Sequence, residues 1–202
     1  MTTPLASSLT TRPAMPGDAT LLEHLWLLFR HELSGLTGTL PNPDGTFRRE
    51  RLDAALADAA LADRAPADTA PADAGLADAG WRGVLAHATP PPGDPAQQGL
   101  LPRPVGFALV RGLGGPTRVL NSFFVVAGAR RAGVGRRFAA EVIACFPGPW
   151  EIAFQDANAP AVAFWRAVAT DAAGQAWTEE HRPVPGRPDV PPDTWISFTT
   201  SR

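Results

Sequence analysis

The sequence predicts an α/β fold in a single domain spanning residues 1–202. Three observations carry that reading. Phe123, Phe124, Val125 and Val126 form a short apolar run rich in aromatic and β-branched side chains. A glycine-containing turn follows, then a stretch with helical apolar spacing: strand, turn, helix. Residues 150–155 and 158–168 repeat that unit. Near the other end, Leu21, Leu22, Leu25, Leu28, Phe29 and Leu33 recur at the spacing of one helix face.

Taken in order, residues 9–13 read as a first strand, and Asp18 or Thr20 as the cap of the first helix. Thr20 and Glu23 have the spacing of a capping box. Residues 34–45, rich in Gly, Pro, Asn and Asp, read as a loop, and residues 47–56 as a second helix. Beyond it Asp53, Asp58, Asp63, Asp68, Asp73 and Asp78 recur every fifth residue among Ala, Pro and Gly. A five-residue step turns about 500° around a helix, so these carboxylates share no face. Pro66 and Pro71 oppose one continuous helix. Residues 58–80 therefore read as a low-complexity Ala/Asp/Pro insertion that buries little apolar surface.

Strands are expected at residues 81–88, 104–111 and 117–126, the last two joined by a hairpin turn at 112–116. The helix after residue 133 carries Phe138, Val142 and Cys145 at core spacing, so Cys145 reads as a small core hydrophobe. Residues 175–180 and 194–200 read as the last two strands, joined by a Pro-rich loop at 182–193.

The turn after the central strand has a chemical reading. Gly133 and Gly135 allow close backbone approach, and the helix behind them offers unpaired N–H groups and a positive dipole end. Such a turn suits a pyrophosphate. Arg130, Arg131, Arg136 and Arg137 flank it with positive charge. A dinucleotide fingerprint would need a third glycine where Phe138 stands. A P-loop would need a lysine, and this chain has none.

The run does resemble motif A of the GNAT superfamily of acyl-CoA-dependent N-acetyltransferases, Arg/Gln-x-x-Gly-x-Gly/Ala after a strand: here Arg130, Gly133 and Gly135. Residues 158–165, with Asn158, Ala161, Phe164 and Trp165, resemble motif B of the same superfamily. From the residues alone, Asn158 is a helix cap and Pro160 fits the first turn. The resemblance is specific over residues 123–168. It implies a mixed, mostly antiparallel sheet of six or seven strands, helices on both faces, and a splay between strands 4 and 5. It also implies acetyl-CoA as cosubstrate, held by Phe124, Val125, Val126, Arg130, Arg131, Ala132, Gly133, Val134, Gly135, Arg136, Asn158 and Trp165, with no metal. Phe164 and Trp165 would pack on the cofactor or on the sheet, and Phe164 reads as helix core.

The reaction so implied is direct attack of a primary amine, of a small molecule or peptide, on the acetyl thioester. A backbone N–H at Phe124, Val125 or Val126 would polarise the carbonyl. Base candidates are His31 and Glu32 on the first helix and Gln155 or Asp156 at the end of the fifth strand. The superfamily's usual proton donor is a tyrosine; this chain contains none, and Trp165 stands in its neighbourhood. The other reading is a GNAT-fold protein that binds acyl-CoA as a sensor or assembly partner without transferring it.

Composition bounds the rest. A net charge of −2 gives no pull toward nucleic acid or an anionic membrane. A single cysteine excludes an intramolecular disulfide. No apolar run reaches membrane-span length, and residues 1–12 lack a signal-peptide pattern, so a cytoplasmic protein is expected. A homodimer remains open.

Overall fold

A computed structural model describes residues 8–64, 80–89, 101–130 and 133–201. Arg131, Ala132 and most of the expected insertion lie outside the described residues. The elements run β1 (Ser8–Pro13), α1 (Ala19–Thr37), α2 (Glu50–Arg64), β2 (Arg82–Thr89), β3 (Arg103–Arg111), β4 (Arg118–Val125), α3 (Val134–Cys145), β5 (Gly148–Phe154), α4 (Ala159–Ala173), β6 (Trp177–Arg182) and β7 (Asp193–Thr200). The strands form one seven-stranded sheet in the order β1-β2-β3-β4-β5-β7-β6. Every neighbouring pair is antiparallel except β4 and β5, which run parallel. This is the α/β, mixed-sheet architecture expected from the sequence.

Two cores lie on the two faces. On one, Leu22, Leu25 and Trp26 of α1 and Leu52 and Ala55 of α2 pack on Leu85, Phe107, Leu109 and Phe124. Trp26, Phe29, Phe107 and Phe124 stack with centroids 5.4 to 6.1 Å apart, each such pair worth about 0.5–1.5 kcal/mol beyond area burial. On the other face, Phe138 and Val142 of α3 and Trp165 and Val168 of α4 pack on Val110, Leu120, Trp150, Ile152 and Ile196.

Several expectations are corrected. In α1 the buried stripe is Leu22, Leu25 and Trp26, at i, i+3 and i+4, while Leu28 is 49% exposed. The indole of Trp26 donates to the carbonyl of Arg48 (3.0 Å), which ties α1 to the approach of α2. Asp18 precedes α1, but its carboxylate binds Arg12 and the Met15 N–H instead of capping the helix. Phe47 lies before α2, not in it. Cys145 is exposed. The end of α3 is closed instead by Phe146, whose ring packs 6.4 Å from that of Trp150 and whose carbonyl accepts the Trp150 indole N–H (2.9 Å).

Helix α2 also runs further than expected, through Asp58 to Arg64. Leu52, Ala55 and Ala59 supply a buried stripe that the aspartate period obscures. The aspartates do spiral: Asp53 pairs outward with Arg49 (2.7 Å), whereas Asp58 accepts the Trp81 N–H (2.6 Å) at the entry to β2.

Asp58→Ala leaves that N–H without its charged partner. It should cost about 1–3 kcal/mol, read as a lower urea midpoint at unchanged slope.

Candidate functional site

The site grows from a break in the sheet. Strands β4 and β5 pair only at Arg118–Trp150, Val119–Glu151 and Leu120–Ile152. β4 then continues to Val125 and β5 to Phe154 without pairing, so the two strands splay toward their C-terminal ends. The cause sits at Asn121. On the other side of β4, Leu109 faces Ser122 and Val110 faces Leu120, which leaves Asn121 as an extra, bulged residue. A bulge bends its strand and sharpens the local twist.

Backbone register then decides which N–H groups enter the gap. The Val126 N–H donates to the Val105 carbonyl (2.8 Å), and Val125 lies opposite Gly106. In an antiparallel ladder this makes Val125–Gly106 a non-hydrogen-bonded pair and Phe124–Phe107 a hydrogen-bonded one. The N–H groups of Phe124 and Val126 are therefore committed to β3, and that of Val125 points into the splay. Gly106 permits this close pairing: a Cβ there would stand 2.3 Å from the Phe124 carbonyl oxygen.

The turn after β4 leads to α3. Gly133 caps the helix at φ 75°, a left-handed conformation that suits glycine. The first intrahelical bond joins the Arg137 N–H to the Gly133 carbonyl (3.1 Å), so the N–H groups of Val134, Gly135 and Arg136 precede it. Helix α4 differs. Asn158 caps it by accepting the Ala161 N–H (3.3 Å), and Pro160 has no N–H to offer. Of the two helix starts beside the splay, α3 is the one with donors to spare for an anion.

The flanking arginines are engaged with the protein. Arg130 donates to the Val125 carbonyl (2.7 Å), pairs with Glu32 and lies 5.6 Å from the Phe124 ring centre. One expected cofactor ligand and one expected base thus hold each other. Arg136 forms a forked pair with Asp171 of α4. Arg137 binds Glu141 and the Leu9 carbonyl. Gly135 has a packing neighbour: its Cβ position lies 3.2 Å from the Phe164 ring. Trp165 is buried, with its ring 5.1 Å from Phe123 and 4.6 Å from Phe164.

His31 and Gln155 are exposed and hold no side-chain partner among the described residues. Two carboxylates at the C-terminal end of β5 matter more. Asp156 accepts from the Thr194 hydroxyl (2.5 Å) and contacts His181 Nε2 (2.9 Å), in a recess of about 360 Å³ beside α4. Those two hydrogen bonds, Thr194 first, hold its pKa below the usual value. Asp193, one residue before the β7 partner of Phe154, takes the other face of the sheet, which carries α1 and α2. It is half-buried, and burial raises its pKa against the opposing pull of Arg51. No local sequence signal marks Asp193; only strand register and the approach of α2 set it apart from a loop-end carboxylate. His181 likewise gains its partner only through the β6–β7 pairing.

A larger recess, about 560 Å³, runs along α3 from Arg136 in its first turn to Ile143 and Ala144, with Val168, Asp171 and Ala172 of α4 on the other side. No helix among the described residues is long and apolar enough to cross a membrane.

No family model and no curated protein matches this sequence. Solved structures do match the fold. An acetyltransferase from Thermus thermophilus superposes with a TM-score of 0.56 at 17% identity, covering 96% of this chain and 99% of its own. A GNAT-family acetyltransferase from Staphylococcus aureus gives 0.58 at 12% identity, with 96% and 100% covered. An aminoglycoside acetyltransferase in complex with coenzyme A gives 0.54 at 14% identity, with 95% of each chain covered. The chain therefore has the GNAT fold, as the two motifs implied.

Because Gly135 closes on Phe164, Gly135→Val should lower stability by about 1–3 kcal/mol through overpacking. Adding Phe164→Leu should recover part of that loss in a double-mutant cycle followed by denaturant unfolding.

Proposed function

We propose that the protein is an N-acetyltransferase that moves an acetyl group from acetyl-CoA to a primary amine of a small molecule or peptide, by direct attack in a ternary complex. The observation that carries this reading is the splay, into which the Val125 N–H points beside the first turn of α3, which no side chain caps. The gap admits a slender arm between two strands, and the helix start suits the anionic end of the same molecule. When bound, acetyl-CoA supplies an acyl carbonyl activated as a thioester.

The chain's own groups divide the remaining work. The N–H groups of Val134, Gly135 and Arg136 hold the pyrophosphate, with Gly133 setting the turn. The Val125 N–H donates to the thioester oxygen as negative charge develops there, a role commonly worth about 10²–10³ in rate. Arg130 pins the end of β4 through the Val125 carbonyl and so fixes that donor. With α3 and α4 filling one face, the amine enters from the face of α1 and α2. Asp193 stands there as the base that takes its proton, directly or through water. No side chain is assigned to protonate the departing thiolate. The chain lacks tyrosine, the Trp165 indole has no usable acidity, and a free thiol pKa of about 8.5 lets the thiolate leave as the anion.

Release of free thiol from acetyl-CoA across a panel of amines tests the reading. Binding of CoA without thiol release from any amine would support the acyl-CoA sensor instead.

Val125→Pro removes the donor without taking a ladder bond from β3. Turnover should fall about 10²–10³-fold, with CoA affinity by calorimetry within a few-fold.

Asp193→Asn should lower turnover about 10²–10⁴-fold. The raised pKa means that the folded protein binds the Asp193 proton more tightly than the unfolded chain. Its contribution to stability is full below the unfolded value and is lost as pH rises through the folded value. Asn, which never ionises, should therefore hold or raise the Tm at pH 7 while activity collapses. A parallel fall in Tm and turnover would point to a structural role.

A further inference from the structure

Three arginines gather on the face from which the amine would enter. Arg30 lies in the second half of α1, Arg48 in the approach to α2, and Arg51 in the first turn of α2. Only Arg48 has an ion-pair partner, Glu50 (2.9 Å). Arg30 and Arg51 make neither an ion pair nor a hydrogen bond among the described residues, and Arg30 Nε is buried with no acceptor. Arg30 instead stands 5.9 Å from the centre of the Phe47 ring. Arginine is a costly group to crowd. Burial and then Arg48 lower the pKa of Arg30. Burial, then Arg30 and Arg111, lower that of Arg51, with Asp193 acting the other way. Arg51 is nonetheless exposed to solvent.

The cluster adjoins the splay. Phe29, next to Arg30, packs 6.0 Å from Phe124 near the end of β4, and Glu32, two residues on, pairs with Arg130. Arg51 acts on Asp193, the base assigned above. A carboxylate to take a proton and an excess of unpaired guanidinium thus share one face. A planar guanidinium fork matches a carboxylate in two parallel hydrogen bonds. Resting on the transferase reading, we infer that the acceptor is an amine that also bears a carboxylate, with Arg30 and Arg51 holding the carboxylate and Asp193 facing the amine. The acceptor's negative charge would relieve the repulsion that the empty cluster carries.

The test compares common amino acids with the corresponding amino amides as acceptors, by thiol release. The kcat/KM of the acid should exceed that of its amide by about 10- to 100-fold, the range for hydrogen bonds to charged groups. In Arg51→Gln and Arg30→Gln that ratio should fall toward one. Arg51→Gln should keep or raise the Tm, since it removes like-charge repulsion. A wild-type ratio near one, or a ratio unchanged in both variants, overturns the inference while leaving the transferase reading standing.

A second measurement needs no turnover. N-acetylated amino acids and their amides are titrated calorimetrically into the CoA-saturated protein. Tighter binding of the acids that is lost in Arg51→Gln supports the carboxylate site even if no amine is acetylated, in which case the transferase reading alone fails. Equal binding of acids and amides overturns the site.

Discussion

The site depends on where β4 stops pairing with β5. Two parallel strands joined at three residue pairs and then freed must leave edge groups pointing into a gap, and buried unpaired backbone is expensive. The fold tolerates this because the bulge at Asn121 turns β4 away while β3 still holds it from the other side. The ladder with β3 commits alternate N–H groups, and the remainder become available to a ligand. Arg130 then covers the Val125 carbonyl, which leaves the Val125 N–H facing the gap at the strand end. The geometry of the gap is a by-product of pairing on the opposite edge.

The two faces of the sheet divide the chemistry. Helices α3 and α4 fill one face with Phe138, Val142, Trp165 and Val168. They aim their N-termini toward the splay, but capping by Asn158 makes them electrostatically unequal. The other face is only partly covered. Helices α1 and α2 sit over β2, β3 and β4, while Glu151, Trp195 and Arg182 of the outer strands keep their own company, Arg182 pairing with Glu151 (2.9 Å) and lying 4.7 Å from the Trp195 ring centre. The free N–H donors at the start of α3 belong to one face, and Asp193 to the other.

Much of the fold was legible because strong local signals agreed. The apolar run ending at Val126, the glycines after it and the Asn158 cap each named their element within a residue or two. Legibility failed where a partner across the sheet decided the outcome. Trp26 replaces Leu28 in the core because Phe29 and Phe107 stack beside it. Arg136 lay in the motif, yet Asp171, 35 positions on, takes its guanidinium. Asp193 looked like a loop end until register set it at the start of β7, on the face that carries α1 and α2. The motifs marked where elements begin, whereas the bonding of their side chains was set by residues distant in sequence.

The bond from the Trp81 N–H to Asp58 has a genetic consequence. It fastens the second half of α2 to the entry of β2, so the chain that follows Arg64 returns to a fixed point. The cost of closing such a loop grows only as the logarithm of its length, and one more five-residue unit adds about 0.2–0.3 kcal/mol. A coding sequence built of near-identical units gains or loses copies readily during replication. With the ends clamped, such changes would pass with little effect on stability, and descendants of one ancestor should differ here in length by multiples of five while Asp58 and Trp81 stay fixed.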